Sequence, residues 1–199
     1  GISKADLILG RQYLVYDNQR WIGNVGFRQN DQTFDAFSAV YKGVDDFIFN
    51  YAYSERVNGI TPEFNINTKD NLFNISYNGF IWGKLIAYSY NLQNDEDTLD
   101  LAPNLIDVNP GMRFVTNDSV GLRLDGSYNL PTTVPLKAVY RAEYAYQEAE
   151  VYDKPAVKNS YDADYKLAEL GLVWGFGEGE YALSPMLGYE SLGSDDGLY

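Results

Sequence analysis

The sequence predicts an all-β fold, an antiparallel up-and-down transmembrane β-barrel, from three observations. Apolar and aromatic residues alternate with polar ones at a period of two, whereas a helix would repeat them every three to four residues. Long and short connections alternate along the chain. Aromatic residues make up 16% of the 199 residues, and Tyr and Trp are enriched where a protein meets both lipid and water.

The alternation and the turn residues between its runs define about nine strands. The predicted strands cover residues 4–12, 33–42, 46–56, 70–78, 80–91, 118–129, 135–149, 162–175 and 180–191. Short turns join the members of successive hairpins at Lys42-Gly43, Asn78-Gly79, Pro131 to Pro135, and Gly177 to Gly179. Gly, Pro and Asn at these points provide the backbone conformations that tight turns need.

Three strands show the period of two most clearly. In the third, Phe47, Phe49, Tyr51 and Tyr53 share one face. The sixth and seventh carry the same pattern, in the runs Val120, Leu122, Leu124, Tyr128, Leu130 and Leu136, Ala138, Tyr140, Ala142, Tyr144, Tyr146. Branched and aromatic residues in such runs are typical of strands.

The longer connections, residues 13–32, 57–69, 92–117 and 150–161, all fall at the same end of the predicted sheet. Long strands in up-and-down order, with the long loops at one end, are typical of transmembrane β-barrels. Soluble sandwiches usually have shorter strands and lack this asymmetry. A soluble lipocalin-like or jelly-roll barrel is the alternative.

The two faces of the predicted strands differ in chemistry. Phe47, Trp82 and Trp174 lie near short turns, where an interfacial aromatic belt is expected, and Lys84 shares a face with Trp82. The opposite faces supply polar residues: Asn50, Ser54, Asn74, Ser76, Ser89, Arg123, Asp125, Arg141, Glu143, Gln147 and Glu169. Burying such groups in a dry core is costly, so the pattern favours a water-filled, porin-like lumen.

Composition excludes several classes of function. The chain has no His and no Cys, so a Ser-His-Asp triad, a thiolate zinc site and a disulfide framework are ruled out. The net charge of −13 argues against nucleic acid as a partner.

We predict no cofactor, no metal site and no catalytic residues. The acidic run Asp95-Glu96-Asp97 is interpreted as a solvated loop rather than a cation site, and Glu143 with Glu169 as a chance pairing rather than a glycosidase pair.

The number of strands bears on completeness. Bacterial single-chain barrels have an even number of strands, whereas nine are predicted here, and residues 193–199 have a loop-like composition. Residues 1–199 are therefore interpreted as a single β-barrel domain, an internal fragment of a longer barrel. The alternative is one misplaced strand in a complete eight- or ten-stranded barrel.

One stretch near the beginning resembles the alginate-export family of outer-membrane porins. It contains Gly10-Arg11-Gln12, then Asn18-Gln19-Arg20-Trp21-Ile22-Gly23, Phe27-Arg28-Gln29 and Gln32-Thr33-Phe34-Asp35-Ala36. Two later stretches, Tyr144-Ala145-Tyr146-Gln147 and Gly188-Tyr189-Glu190-Ser191-Leu192, resemble further family segments. The resemblance implies a barrel of about eighteen strands in the Gram-negative outer membrane. It also implies an arginine-rich lumen that conducts an anionic polysaccharide.

The candidate site consists of charged residues on or near the long loop 13–32, which is expected to fold into the lumen. Each guanidinium can hold a carboxylate bidentately and stays charged, so a ring of such groups forms an anion-selective constriction. The candidate constriction residues are Arg11, Arg20, Arg28, Asp35, Arg123, Arg141 and Glu143. In the alternative interpretation, ion pairs among these residues and Asp17 simply pin the loop to the wall. An inward position for Arg11 requires a bulge or the end of the strand, because it shares a face with Leu9.

We therefore predict a non-enzymatic outer-membrane channel for passive passage of anionic or sugar-like solutes or polysaccharide. Its expected partners are outer-membrane lipid, lipopolysaccharide, and small anionic or saccharide solutes. The second hypothesis is a soluble or cell-surface β-domain that binds carbohydrate.

Overall fold

The computed structural model describes residues 4–61, 65–94, 113–152, 158–176 and 181–194, and every regular element in them is a β-strand. The strands are β1 (Ala5–Gln12), β2 (Thr33–Tyr41), β3 (Phe47–Asn58), β4 (Ile66–Phe80), β5 (Gly83–Gln93), β6 (Arg113–Asn129), β7 (Leu136–Tyr152), β8 (Lys158–Phe176), β9 (Tyr181–Leu183) and β10 (Met186–Ser194). Within these ranges no helix is long and apolar enough to cross a membrane.

The ten strands form one antiparallel sheet in up-and-down order. Each strand pairs with the next from β1 to β8, and both β9 and β10 pair with β8. This confirms the predicted all-β, up-and-down architecture. Among the described residues the sheet is not closed, since β1 and β10 are its two edges.

Several strands extend beyond their predicted ends. Strand β7 runs on to Tyr152 and β8 begins at Lys158, so both ends of the predicted connection 150–161 belong to strands. The final predicted strand, 180–191, is two strands separated by Ser184 and Pro185, because proline has no N–H to donate to a ladder. The turn at 177–179 and the acidic run with Asp95, Glu96 and Asp97 lie outside the described residues.

Residues 13–32, here called the crossing segment, pack against one face of the sheet, the inner face. Leu14 and Ile22 of the segment are each 4% exposed. They meet a buried layer contributed by β2 to β8, which includes Ala36, Ala52, Leu72, Ile86, Tyr88, Tyr90, Ala145, Tyr165 and Leu167. The apolar core therefore lies between the segment and the inner face.

The opposite, outer face is apolar and exposed. Leu9 of β1, Leu170 of β8 and Leu187 of β10 are 83%, 59% and 78% exposed. The face also carries Phe37, Tyr41, Phe73, Ile75, Val120, Leu122, Tyr128, Tyr144, Leu172 and Trp174, all exposed. Phe47, Phe49, Tyr51 and Tyr53 of β3 lie on this face, because they pair with outer-face residues of β4.

The predicted orientation of β5 is wrong. Lys84 was expected on the lipid side and Ser89 in the lumen, but Lys84 pairs with Asp125 of the inner face and Ser89 with Phe73 and Val120 of the outer face. Ile81 and Trp82 form the turn, and the strand begins only at Gly83. A shift of one residue at a turn reverses the direction of every side chain that follows.

Candidate functional site

The ring of Trp21 sits in a slot on the inner face. Tyr88 of β5, Gly121 of β6, Ala145 of β7 and Tyr165 of β8 form one row across the sheet. The two small residues leave the slot, and the two tyrosines flank it. The indole lies 5.8 Å from the Tyr165 ring, edge to face, and 6.3 Å from the Tyr88 ring. The tyrosines converge on the indole from strands about 14 Å apart in a flat sheet.

Gly121 is required for this slot. A Cβ at position 121 would lie 2.3 Å from Cζ of Tyr88, far inside van der Waals contact. A larger residue therefore displaces the Tyr88 ring, and with it one wall of the Trp21 slot.

Glu143 is the polar anchor beneath the slot, and its side chain is only 1% exposed. Its Oε1 accepts hydrogen bonds from Trp21 Nε1 at 3.0 Å and from the Tyr88 hydroxyl at 2.8 Å. Its Oε2 binds Arg123 Nη1 at 2.9 Å. Three donors thus stabilise a buried carboxylate that would otherwise be very unfavourable.

Arg123 and Arg141 belong to one continuous ion-pair network. Arg123 binds Asp125 through Nε and Nη2, at 2.8 and 3.0 Å. Arg141 binds Asp125 through Nε at 2.8 Å and Glu169 through Nη1 at 2.8 Å. With Glu143, the network holds two guanidinium groups and three carboxylates, a formal charge of 2 − 3 = −1. Neither guanidinium is left without a carboxylate partner.

The crossing segment adds two further ion pairs. Arg20 pairs with Glu190 of β10, and its guanidinium lies 4.4 Å above the Tyr165 ring. Asp17 lies 3.7 Å from Lys84 Nζ and accepts a hydrogen bond from Asn74 at 2.8 Å. The segment is therefore tied to β4 and β5 at one point and to β10 at another.

Tyr16 anchors the beginning of the segment. Its ring stacks on Tyr90 with centroids 5.9 Å apart. Burial, followed by the nearby Asp17 carboxylate, raises the pKa of Tyr16 to about 12, so the phenol is neutral at physiological pH.

Arg28 is exposed, with its guanidinium 5.4 Å above the ring of Phe27. It lies on the segment beside Phe27, which lines a cavity together with Arg20, Gly23 and Val25.

Arg11 and Asp35 lie apart from the other candidates. They pair bidentately at 2.7 and 2.9 Å, and Arg11 also donates to Asn58 at 3.2 Å. Both residues belong to the outer face, since each is two positions from an outer-face residue of its own strand, Leu9 or Phe37. This corrects the expectation that Arg11 and Asp35 face inward: no bulge turns Arg11 around.

The structure joins Arg123, Arg141 and Glu143 in one network on the inner face. Arg20 reaches the same face through Glu190 and Tyr165. Sequence reasoning did not identify Trp21, Tyr88 or Tyr165 as partners of Glu143. Trp21 is part of the motif Asn18 to Gly23, directly after Arg20. An aromatic residue next to a loop arginine was the sequence signal that could have identified it.

Comparisons of the chain with models of protein families, with curated proteins and with solved structures find no match. The geometry of the two faces and of the crossing segment is therefore the basis for a functional proposal.

Proposed function

We propose that this chain forms the wall of an outer-membrane channel, through which hydrophilic solutes pass by hydrated diffusion. The observation that carries the proposal is the reversed polarity of the sheet. The outer face exposes large apolar side chains from β1, β2, β4, β6, β7, β8, β9 and β10, while the inner face buries charges such as Arg123 and Glu143. Soluble monomers rarely expose a contiguous apolar surface of this extent.

The apolar band on the outer face is inclined to the strands. Leu7 is central to the band on β1 and is in register, through seven strand pairs, with Asp164 of β8. The band on β8 is centred on Leu172, eight residues further along. Eight residues span about 26 Å and seven strand spacings about 34 Å. If the band lies parallel to the membrane plane, the strands must therefore tilt by about 40° from the membrane normal, which is within the range of transmembrane barrels.

An aromatic cluster lies at the short-turn end of the outer face. Phe47 packs on Tyr77 at 4.7 Å and Phe80 stacks on Trp82 at 4.4 Å. Across the sheet, Phe176 packs against Trp174 at 5.5 Å and Tyr181 at 5.7 Å. Aromatic rings at one edge of an apolar band are what a membrane–water interface favours.

In this proposal the crossing segment is the constriction. It lies over the inner face from β4 to β10, fixed by Asp17, Trp21 and Arg20. Arg123, Arg141 and Glu143 then act mainly by holding it in place, and no catalytic step is needed. The same proposal includes closure of the sheet by further strand pairing, contact with lipid and lipopolysaccharide, and membership of the alginate-export family. The motif around Arg20 and Arg28 is the observation that supports the family.

Extraction and conductance test the proposal. The protein should require detergent for extraction, migrate differently on gels before and after heating, and conduct ions in planar bilayers. Solubility without detergent would overturn the proposal and favour the soluble carbohydrate-binding domain. If the protein requires detergent but never conducts ions, the channel function is overturned and the membrane-embedded barrel still stands.

A further inference from the structure

We propose that the cavity between the beginning of the crossing segment and the inner face of β1 to β5 binds a neutral, polyhydroxylated solute of mono- or disaccharide size. The inference rests on the proposed channel function and decides between its two solute classes, anionic and sugar-like. Two observations carry it: the pairing of the inward guanidinium groups, and the chemistry of the cavity lining.

The first observation concerns charge. Arg20, Arg123 and Arg141 are each bound to carboxylates within the chain. An anionic solute could engage them only by displacing Glu190, Glu143 or Glu169. For the buried Arg123–Glu143 pair that displacement is strongly unfavourable. For the partly exposed Arg20 and Arg141, an anionic solute would have to compete with a carboxylate already bound. The inner face is not a cationic surface.

The second observation is a cavity of about 400 Å³, within the size range of small-molecule sites. Its polar lining consists mainly of side-chain amides, hydroxyls and a phenol, from Gln12, Ser38, Asn50, Asn74, Ser76 and Tyr16. Amides and hydroxyls both donate and accept hydrogen bonds. That dual capacity matches sugar hydroxyls, which also donate and accept. Within the lining itself, Ser38 donates to Gln12 and Asn50 donates to Asn74.

The charged groups at the cavity are also paired. Lys84 lies 3.7 Å from Asp17, and Lys42 lies 3.7 Å from Asp6. The two pairs together have no formal net charge. Tyr13, which also lines the cavity and is 55% exposed, donates to Asp31 at 3.0 Å. Its hydroxyl is thereby oriented, and its ring offers an apolar surface to the C–H face of a sugar.

The test measures ion current through the protein in planar bilayers while a neutral disaccharide, or glucuronate, is added. We expect saturable block by the disaccharide and none by glucuronate at equal concentration. Asn50→Leu keeps the branched shape of the side chain but removes its amide, and should weaken the block about tenfold. Gln147→Leu is the matched control, because Gln147 is an inner-face amide, bonded to Asn117, outside the cavity.

The outcomes separate the two proposals. Block by glucuronate but not by the disaccharide, or equal block in Asn50→Leu and the parent protein, overturns the saccharide site and leaves the channel standing. If no current is seen, the channel proposal fails. Calorimetric titration of the detergent-solubilised protein with the disaccharide then tests the cavity alone: binding weakened by Asn50→Leu supports the site, and no binding overturns it.

Discussion

Trp21 and Glu143 are joined by a 3.0 Å hydrogen bond from the indole Nε1 to the carboxylate Oε1, across 122 positions of sequence. This bond links the crossing segment to the middle of the sheet. Because Glu143 also binds Tyr88 and Arg123, the segment is attached to a buried carboxylate of the inner face rather than to an exposed side chain.

The first prediction concerns Trp21→Phe. The substitution removes the donor to Glu143 and keeps an aromatic ring between Tyr88 and Tyr165. A hydrogen bond to a charged group contributes about 1.5–3 kcal/mol. The population of molecules with the segment detached should therefore rise by about tenfold or more. Trypsin cleavage after Arg20 and Arg28 should accelerate accordingly, measured as a rate on folded protein. Trp82→Phe, in the β4–β5 turn, is the control, and equal cleavage rates in both variants would contradict the anchor.

The second prediction concerns the Arg123–Glu143 pair. Glu143→Leu leaves three donors unpaired, and we expect a loss of about 3–5 kcal/mol in the free energy of unfolding. The double variant Arg123→Met, Glu143→Leu should recover a large part of that loss, because it removes the buried guanidinium as well. Denaturant unfolding of the parent, the single and the double variants measures the coupling. A double variant less stable than Glu143→Leu would refute this account of the pair.

The third prediction concerns Gly121→Ala. The new Cβ would fall 2.3 Å from the Tyr88 ring, so the variant should lose about 1–3 kcal/mol of stability. Gly175→Ala is the matched control, because its nearest atom would be Pro135 Cγ at 3.9 Å; it should be neutral or slightly stabilising. Equal unfolding midpoints would show that the slot tolerates a methyl group.

Much of the fold was predictable because alternation and turn chemistry are local properties. The run from Phe47 to Tyr53 was assigned to a strand with its aromatics on one face, and the structure places them on the outer face. Asn78 and Gly79 predicted a hairpin in this region, but both lie within β4, and the turn itself lies at Ile81 and Trp82.

The face of β5 was not predictable from the pattern alone. Ile86, Tyr88 and Tyr90 form its apolar phase and were therefore expected to meet lipid. They are buried instead, because Tyr16 and Trp21 of the crossing segment cover them. A run of alternating apolar residues predicts that one face of a strand is buried, but it does not predict what covers that face. Here the cover is the crossing segment, which is distant in sequence.

The inner-face positions of three candidate residues were predictable, but Arg11 and Asp35 lie on the outer face. Inward phase correctly identified Arg123, Arg141 and Glu143. Their mutual neutralisation depends on strand register, since Arg123 lies directly opposite Glu143 and Arg141 opposite Asp125. The same register places Arg11 opposite Asp35 on the outer face, which residue type alone does not reveal.

The fourth prediction concerns alkaline pH. The pKa of Tyr16 is about 12 in the folded protein, against about 10 when unfolded. The raised value means that the neutral phenol stabilises docking. Its contribution, about 2–3 kcal/mol by linkage, is fully present below pH 10 and is lost as the pH rises from 10 to 12.

Trp21 reports this change if Trp82 and Trp174, the other two of the three tryptophans, are replaced by Phe. Its emission should shift to the red between pH 10 and 12. Adding Tyr16→Phe, which cannot ionise, should reduce the part of the shift that occurs in that range. An unaltered shift would assign the transition to another group.

The fifth prediction tests the outer face directly, with Leu172→Arg at the centre of the apolar band. If this face contacts hydrocarbon, a guanidinium there should destabilise the protein folded in lipid vesicles by about 2–4 kcal/mol. Ser160→Arg is the matched control on the same strand and face, at the exposed end away from the band, and should change stability by no more than about 0.5 kcal/mol. Because Leu172 is already 41% exposed, both variants should behave alike if the face meets water. Equal stabilities in vesicles would therefore exclude a lipid-facing band, whereas a large difference between the two variants requires one.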